Sequence, residues 1–131
     1  RACRKEGIPV YTVPGACAAV AALAISGLPS NRFLFAGFLP PKSAARKHFL
    51  EEQRQMPYTL IVYESKHRIG KLVAEIEEVL GAERCVSLSR ELTKLHESSY
   101  SGPVSKVRQR LEEGSGKGEF VVLIAQDGYV L

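Results

Sequence analysis

Two short segments hold most of the residues equipped for chemistry: Tyr63–Arg68, spelling YESKHR, and Arg90–Glu97, spelling RELTKLHE. Each follows an apolar run and mixes cations with carboxylates. Lys66, His67 and Arg68 stand where a helix is expected to begin. A helix N-terminus already carries about half a positive elementary charge, so cations there call for an anion nearby. The free N–H groups of a strand-to-helix junction bind phosphate readily, and three cations around them would build a pocket for it. The same residues equally allow side chains splayed into water, with Glu64 neutralising one of them. In the second segment, a carboxylate beside an arginine suits a ribose hydroxyl, or sets a guanidinium against phosphate. A solvated ion-pair cluster is the alternative there.

Other segments carry less. VPGACAA places Pro14 and Gly15 at a strand-to-helix turn followed by small side chains, which lets a backbone approach a ligand or lets a helix lie close on a sheet. GSGKGEF has the glycines of a phosphate loop but not its order, because Gly118 follows Lys117 and a strand comes next; a turn is expected. His48 and His96 lack partners at metal-ligand spacing, so no metal is expected. Neither a nucleophile elbow nor a GxGxxG fingerprint occurs.

The elements that must position these residues alternate. Strands are expected at Ile8–Val13, Arg32–Leu39, Tyr58–Tyr63, Arg84–Ser89 and Phe120–Ala125. Helices are expected at Gly15–Ser26, Lys42–Gln55, Ser65–Leu80 and Pro103–Glu113. The first has almost no polar face, which predicts burial on most sides. In the third, Ile69, Leu72, Val73, Ile76 and Leu80 fall at helical spacing with Glu75, Glu77 and Glu78 turned outward, Ser65 as N-cap and Gly81 as terminator. The fold class is α/β: about five mostly mixed strands flanked by about four helices.

Composition narrows the partners. At 45% hydrophobic and 24% charged, the 131 residues exclude wholesale disorder and fit one domain. A net charge of +4 permits a polyanionic partner without demanding one. Cys3, Cys17 and Cys85 form no CxxC pair, which favours reduced thiols and a cytoplasmic setting. The apolar stretch Ala16–Leu28 is too short to span a bilayer, so no membrane is expected. RACRKEG reads as the last turn of a helix, so a further domain is expected before Arg1.

In order, PGACAA, RFLFAGFLPPK, TLIVYESKHR, LSRELTKLHE and KGEFVVLI resemble the C-terminal half of the ribosomal RNA small subunit methyltransferase I family, within the tetrapyrrole-methylase superfamily. The resemblance runs from Gly7 to Ile124. It implies S-adenosylmethionine as methyl donor and, as acceptor, the 2′-hydroxyl of a cytidine of 16S rRNA at the decoding centre of the small ribosomal subunit. It implies a homodimer of two-domain subunits with the cofactor in the cleft between the halves. Residues 1–131 would be the C-terminal domain, the cofactor-loop domain preceding it, and the isolated fragment would be inactive.

Pro14, Gly15 and Ala18 match the family's Pro-Gly-Pro-Ser-Ala turn, with Ala16 and Cys17 replacing its Pro and Ser; this turn forms the cofactor side of the cleft. Tyr63, Glu64, Ser65, His67 and Arg68 match Tyr-Glu-Ser-Pro-His-Arg, with Lys66 in place of proline. Arg90, Glu91, Thr93, Lys94 and Glu97 match the charged segment, and Lys117–Phe120 the closing motif. The expectations are RNA phosphate on Lys66, His67, Arg68, Arg90 and Lys94, and a catalytic base in Glu64 or Glu91. Two alternatives stand beside this: a corrin or porphyrin precursor methylase, and a non-catalytic RNA-binding module.

Overall fold

A computed structural model describes residues 1–114 and 116–131. Its centre is a five-stranded mixed sheet in the order β1-β2-β5-β3-β4, with β1 at Phe33–Phe38, β2 at Thr59–Ser65, β3 at Cys85–Arg90, β4 at Ser98–Pro103 and β5 at Glu119–Ile124. β1 runs parallel to β2, whereas β5 runs antiparallel to both β2 and β3. β2 and β3 therefore point the same way, and their C-terminal ends flank the start of β5.

Helices cover both faces, which lets β2 and β5 read as continuous apolar runs. After the single turn α1 (Ala2–Lys5), α2 (Ala18–Ile25) lies on one face, against β2 and β5. α3 (Ser43–Glu52), α4 (Ile69–Leu80) and α5 (Val104–Glu113) form the other layer. Strand alternation divides the core accordingly. Leu60, Val62, Val86, Leu88 and Val122 pack under the three helices, while Ile61, Leu123 and Ala125 pack with Ala22 and Leu23 of α2. No helix among the described residues is long and apolar enough to cross a membrane.

Five strands in an α/β arrangement match the expected class, but not strand for strand. Ile8–Val13 forms no strand: Tyr11 and Val13 are each 89% exposed. Apolar alternation makes a strand only where a neighbour completes the hydrogen-bond ladder, and none pairs here. β4 takes its place in the count. Its sequence, SSYSGP, is poor in the branched and aromatic residues that mark strands, and it survives as an edge strand with proline at its last position.

Three helix expectations also change. α2 begins at Ala18, not Gly15, and is buried only along Ala19, Ala22 and Leu23, leaving Val20 and Ile25 about half exposed. α4 begins at Ile69 with Arg68 as N-cap, because β2 continues to Ser65, which pairs with Glu119. A residue held in a ladder cannot cap a helix, so Lys66–Arg68 form an intervening turn closed by Arg68 N–H on Ser65 O at 3.1 Å. Glu75, expected outward, is only 6% exposed. It accepts hydrogen bonds from Arg46 Nε at 2.7 Å and Ser43 Oγ at 2.6 Å, clamping α3 to α4. The turn expected at 114–118 includes Ser115, which lies outside the described residues.

Candidate functional site

Both chemistry-bearing segments leave the sheet at one edge. Ser65 pairs with Glu119 and Arg90 with Phe120, so Lys66–Arg68 and Glu91–Glu97 emerge on either side of β5. Two inter-strand spacings, about 10 Å, separate them.

At the β2 end, Glu64 is 2% exposed. Its Oε1 accepts from Ser65 N–H at 2.7 Å and Arg68 Nε at 2.9 Å. The anion awaited by this turn is thus partly supplied from within: Arg68 is neutralised by Glu64, while Lys66 and His67 are exposed with no hydrogen bond or ion pair among the described residues. Glu64 alternates with Leu60 and Val62 toward the three-helix layer. Its Oε2 is buried without a hydrogen-bond partner among the described residues. Through Oε1, Glu64 holds the turn that presents Lys66 and His67.

At the β3 end, the loop is fastened from inside. Glu91 Oε1 accepts from Glu119 N–H at 2.8 Å and from Lys94 Nζ at 3.0 Å, and Lys94 also reaches Glu119 Oε2 at 2.9 Å. The Glu119 backbone N–H, then the Lys94 ammonium, hold the Glu91 carboxyl below the usual carboxylate range; the two carboxylates push the Lys94 ammonium up. Glu91 and Thr93 adopt φ of +51° and +64°, a left-handed backbone uncommon outside glycine. Gly118 makes the clasp possible: with φ of +114°, a Cβ there would stand 2.6 Å from Glu91 Cγ. Sequence reasoning missed this role for Gly118, since its only trace is a glycine after Lys117. Arg90 donates from Nε to Lys117 O at 2.6 Å and forms no salt bridge among the described residues, although its charge helps to hold the Glu91 carboxyl down.

Between these ends, on the α2 side, a cavity of about 410 Å³ is lined by Ala18, Phe38, Tyr63, Leu92, Phe120 and Val121, with Glu64, Ser65 and Glu119 in the same wall. Pro14–Cys17 lie exposed before α2. Cys17 is the N-cap but makes no side-chain cap bond; Tyr63 Oη accepts from Ala19 N–H at 3.1 Å instead. The first turn of α2 is thus capped from β2. Phe35 and Phe38 meet the Tyr63 ring edge-on at 4.9 and 5.9 Å and hold it there. Tyr63 was legible as part of a motif, but its capping bond was not, because the partners lie 44 positions apart.

The model of the tetrapyrrole (corrin/porphyrin) methylases matches residues 1–108. The chain belongs to this family. Within it, the ribosomal RNA small subunit methyltransferase I of Pasteurella multocida (strain Pm70) is 51% identical over 126 residues, covering 95% of this chain and 45% of that protein. The chain thus spans about half the length of the curated relatives it matches. Among solved structures, a cobalt precorrin-4 methyltransferase superposes with a TM-score of 0.64 at 13% identity, over 93% of this chain and 54% of that one. The uroporphyrin-III C-methyl transferase from Thermus thermophilus complexed with S-adenyl homocysteine gives 0.53 at 17% identity, over 92% and 55%. At such identities the likeness to these tetrapyrrole methylases is one of fold.

Proposed function

We propose that this chain is the C-terminal half of an S-adenosylmethionine-dependent ribosomal RNA methyltransferase that modifies the 2′-hydroxyl of a cytidine in 16S rRNA. The observation that carries this reading is the convergence of the β2 and β3 ends on either side of β5, which brings Lys66, His67 and Arg90 to the end of the sheet where Ser65 and Glu119 line the cavity under α2. Kinship with the Pasteurella protein supports RNA over a macrocycle. The reading carries with it a preceding cofactor-loop half, a homodimer and a cytoplasmic location.

The cavity suits part of such a cofactor: its volume lies in the small-molecule range and its walls are mainly apolar and aromatic. Ala18, Tyr63, Leu92 and Val121 would hold the cofactor on this side, with the exposed turn Pro14, Gly15, Ala16 and Cys17 at the rim. When bound, S-adenosylmethionine supplies the electrophilic methyl group. The chain's own task is to hold a ribose hydroxyl in line with it, and alignment alone accounts for a large share of such rate enhancements. Lys66, His67, Arg68, Arg90 and Lys94 would fix the RNA backbone. Arg68 and Lys94 act while tied to Glu64 and Glu91. The second carboxylate oxygen of Glu91 makes no hydrogen bond among the described residues, which makes Glu91 the candidate proton acceptor.

The test is methyl transfer from labelled S-adenosylmethionine to small ribosomal subunits by the full-length protein, followed by mapping of the modified nucleotide. Label on a cytidine ribose is the expected result. Label on no RNA, with transfer to a corrin or porphyrin precursor instead, would overturn the reading.

A further inference from the structure

Five arginines of the folded body, Arg46, Arg54, Arg68, Arg84 and Arg108, each meet a carboxylate within 2.6 to 2.9 Å. Arg90 and Arg110 do not, among the described residues, and they line the same hollow of about 320 Å³ between β4 and α5. Arg1, Arg4 and Arg32 also lack carboxylates, but they stand on exposed segments outside any such hollow.

The hollow is organised. Arg110 lies over the Tyr100 ring with its guanidinium carbon 4.9 Å from the centroid, a contact that holds the cation in place. Arg90 sits opposite Ser98 in the β3–β4 ladder, so both side chains share one face of the sheet. Its Nε is spent on Lys117 O, which leaves the two terminal nitrogens. Burial raises the Tyr100 phenol against the opposing charges of Arg110 and Arg90, which line the hollow with it. The one carboxylate in the wall, Glu113, already accepts from Gln109 Nε2 at 3.1 Å. Two like charges beside a hydroxyl-bearing wall match a phosphate, which guanidinium groups grip with paired N–H donors.

We infer that this hollow binds a phosphodiester of the RNA substrate, with Arg110 and Arg90 as its cations and Ser98 and Tyr100 as its hydroxyl donors. The inference rests on the RNA-methylating function proposed above and deepens it. The RNA path runs past the β3 end onto β4 and α5, three inter-strand spacings, about 15 Å, from the Lys66 turn. Arg110, Tyr100 and Ser98 join the contact surface.

The experiment compares full-length wild type, Arg110→Ala and Arg108→Ala for binding to small ribosomal subunits across a salt series. Arg108 is a cation of the same helix already tied to Glu77 and Glu112. Arg110→Ala should weaken binding about three- to tenfold at low salt and reduce the slope of log K against log salt by about 0.7 to 0.9. Arg108→Ala should leave the slope unchanged, and cofactor affinity and melting temperature should not move in Arg110→Ala. Equal affinity and slope for Arg110→Ala and wild type would overturn the inference while leaving the methylation reading intact. So would inorganic phosphate stabilising wild type but not Arg110→Ala while subunit binding is identical in both, since the hollow would then serve a free anion. Failure of wild type to bind subunits at all would sink both.

Discussion

Arg46 and Arg90 are both arginines at the edges of secondary structure, yet the chain treats them in opposite ways. Arg46 is 2% exposed. It donates twice to Glu75 and once each to the carbonyls of Pro40 and Pro41. Every charge there has a partner, so the clamp binds nothing else and fastens α3 to α4. Arg90 keeps one bond to a carbonyl and lines a hollow shared with Arg110. In a chain with eighteen cations and fourteen carboxylates, pairing is the default that proximity allows. Where pairing fails at a built hollow, the missing anion belongs to something other than this chain.

The paired region sets the largest expected effect. Glu75→Ala strands the Arg46 guanidinium in the core, and removing one partner of a buried pair costs about 3–5 kcal/mol; urea denaturation should read that loss. Burial opposes the Glu75 charge, but hydrogen bonds from Arg46 and Ser43 and the nearby Arg46 charge outweigh it, so its carboxyl lies below the ordinary range when folded. A depressed folded pKa stabilises above the unfolded value, near 4.3, and the benefit is lost as pH falls through the folded value. The wild type should lose stability on that acid limb, and Glu75→Gln should show a shallower one. Equal acid limbs would mean that the clamp contributes nothing to the fold's charge balance.

The clasp at the β3 end comes next. Gly118→Ala places a side chain at φ of +114° and against Glu91, a strain of about 1–3 kcal/mol. The melting temperature should fall, and methylation of small subunits should fall with it as the loop loses its hold. A variant with wild-type stability and activity would show that Glu91 needs no such fastening. Tyr63→Phe is a smaller change: it removes one acceptor from the α2 N-terminus, worth about 1 kcal/mol. An unchanged denaturation midpoint would mean that water replaces the phenol without cost.

The same contrast explains what the sequence let a reader see. β2, β5 and the body of α4 were legible because long apolar periodicity is a local property, and both charged segments stood out by composition alone. The partners of those charges were not legible. Glu64 meeting Arg68, Glu91 meeting Glu119 and Arg46 meeting Glu75 depend on register and helix packing, which no local pattern carries. Ile8–Val13 erred the opposite way, an apolar alternation with no neighbour to pair it, while serine-rich β4 gains its ladder from β3 in spite of its composition.

The claim at the centre is that the cations without carboxylate partners carry most of the grip on RNA, with the tied Arg68 and Lys94 adding to it, whereas buried pairs such as Arg46–Glu75 hold the fold. Its most direct test is the salt dependence of small-subunit binding by the full-length protein carrying Lys66→Ala together with Arg90→Ala, set beside Arg108→Ala. The double variant should lose between one and two units of slope in log K against log salt at an unchanged melting temperature, and Arg108→Ala should lose none. Equal slopes for all three proteins, or a double variant whose weaker binding follows only from a lower melting temperature, would contradict it.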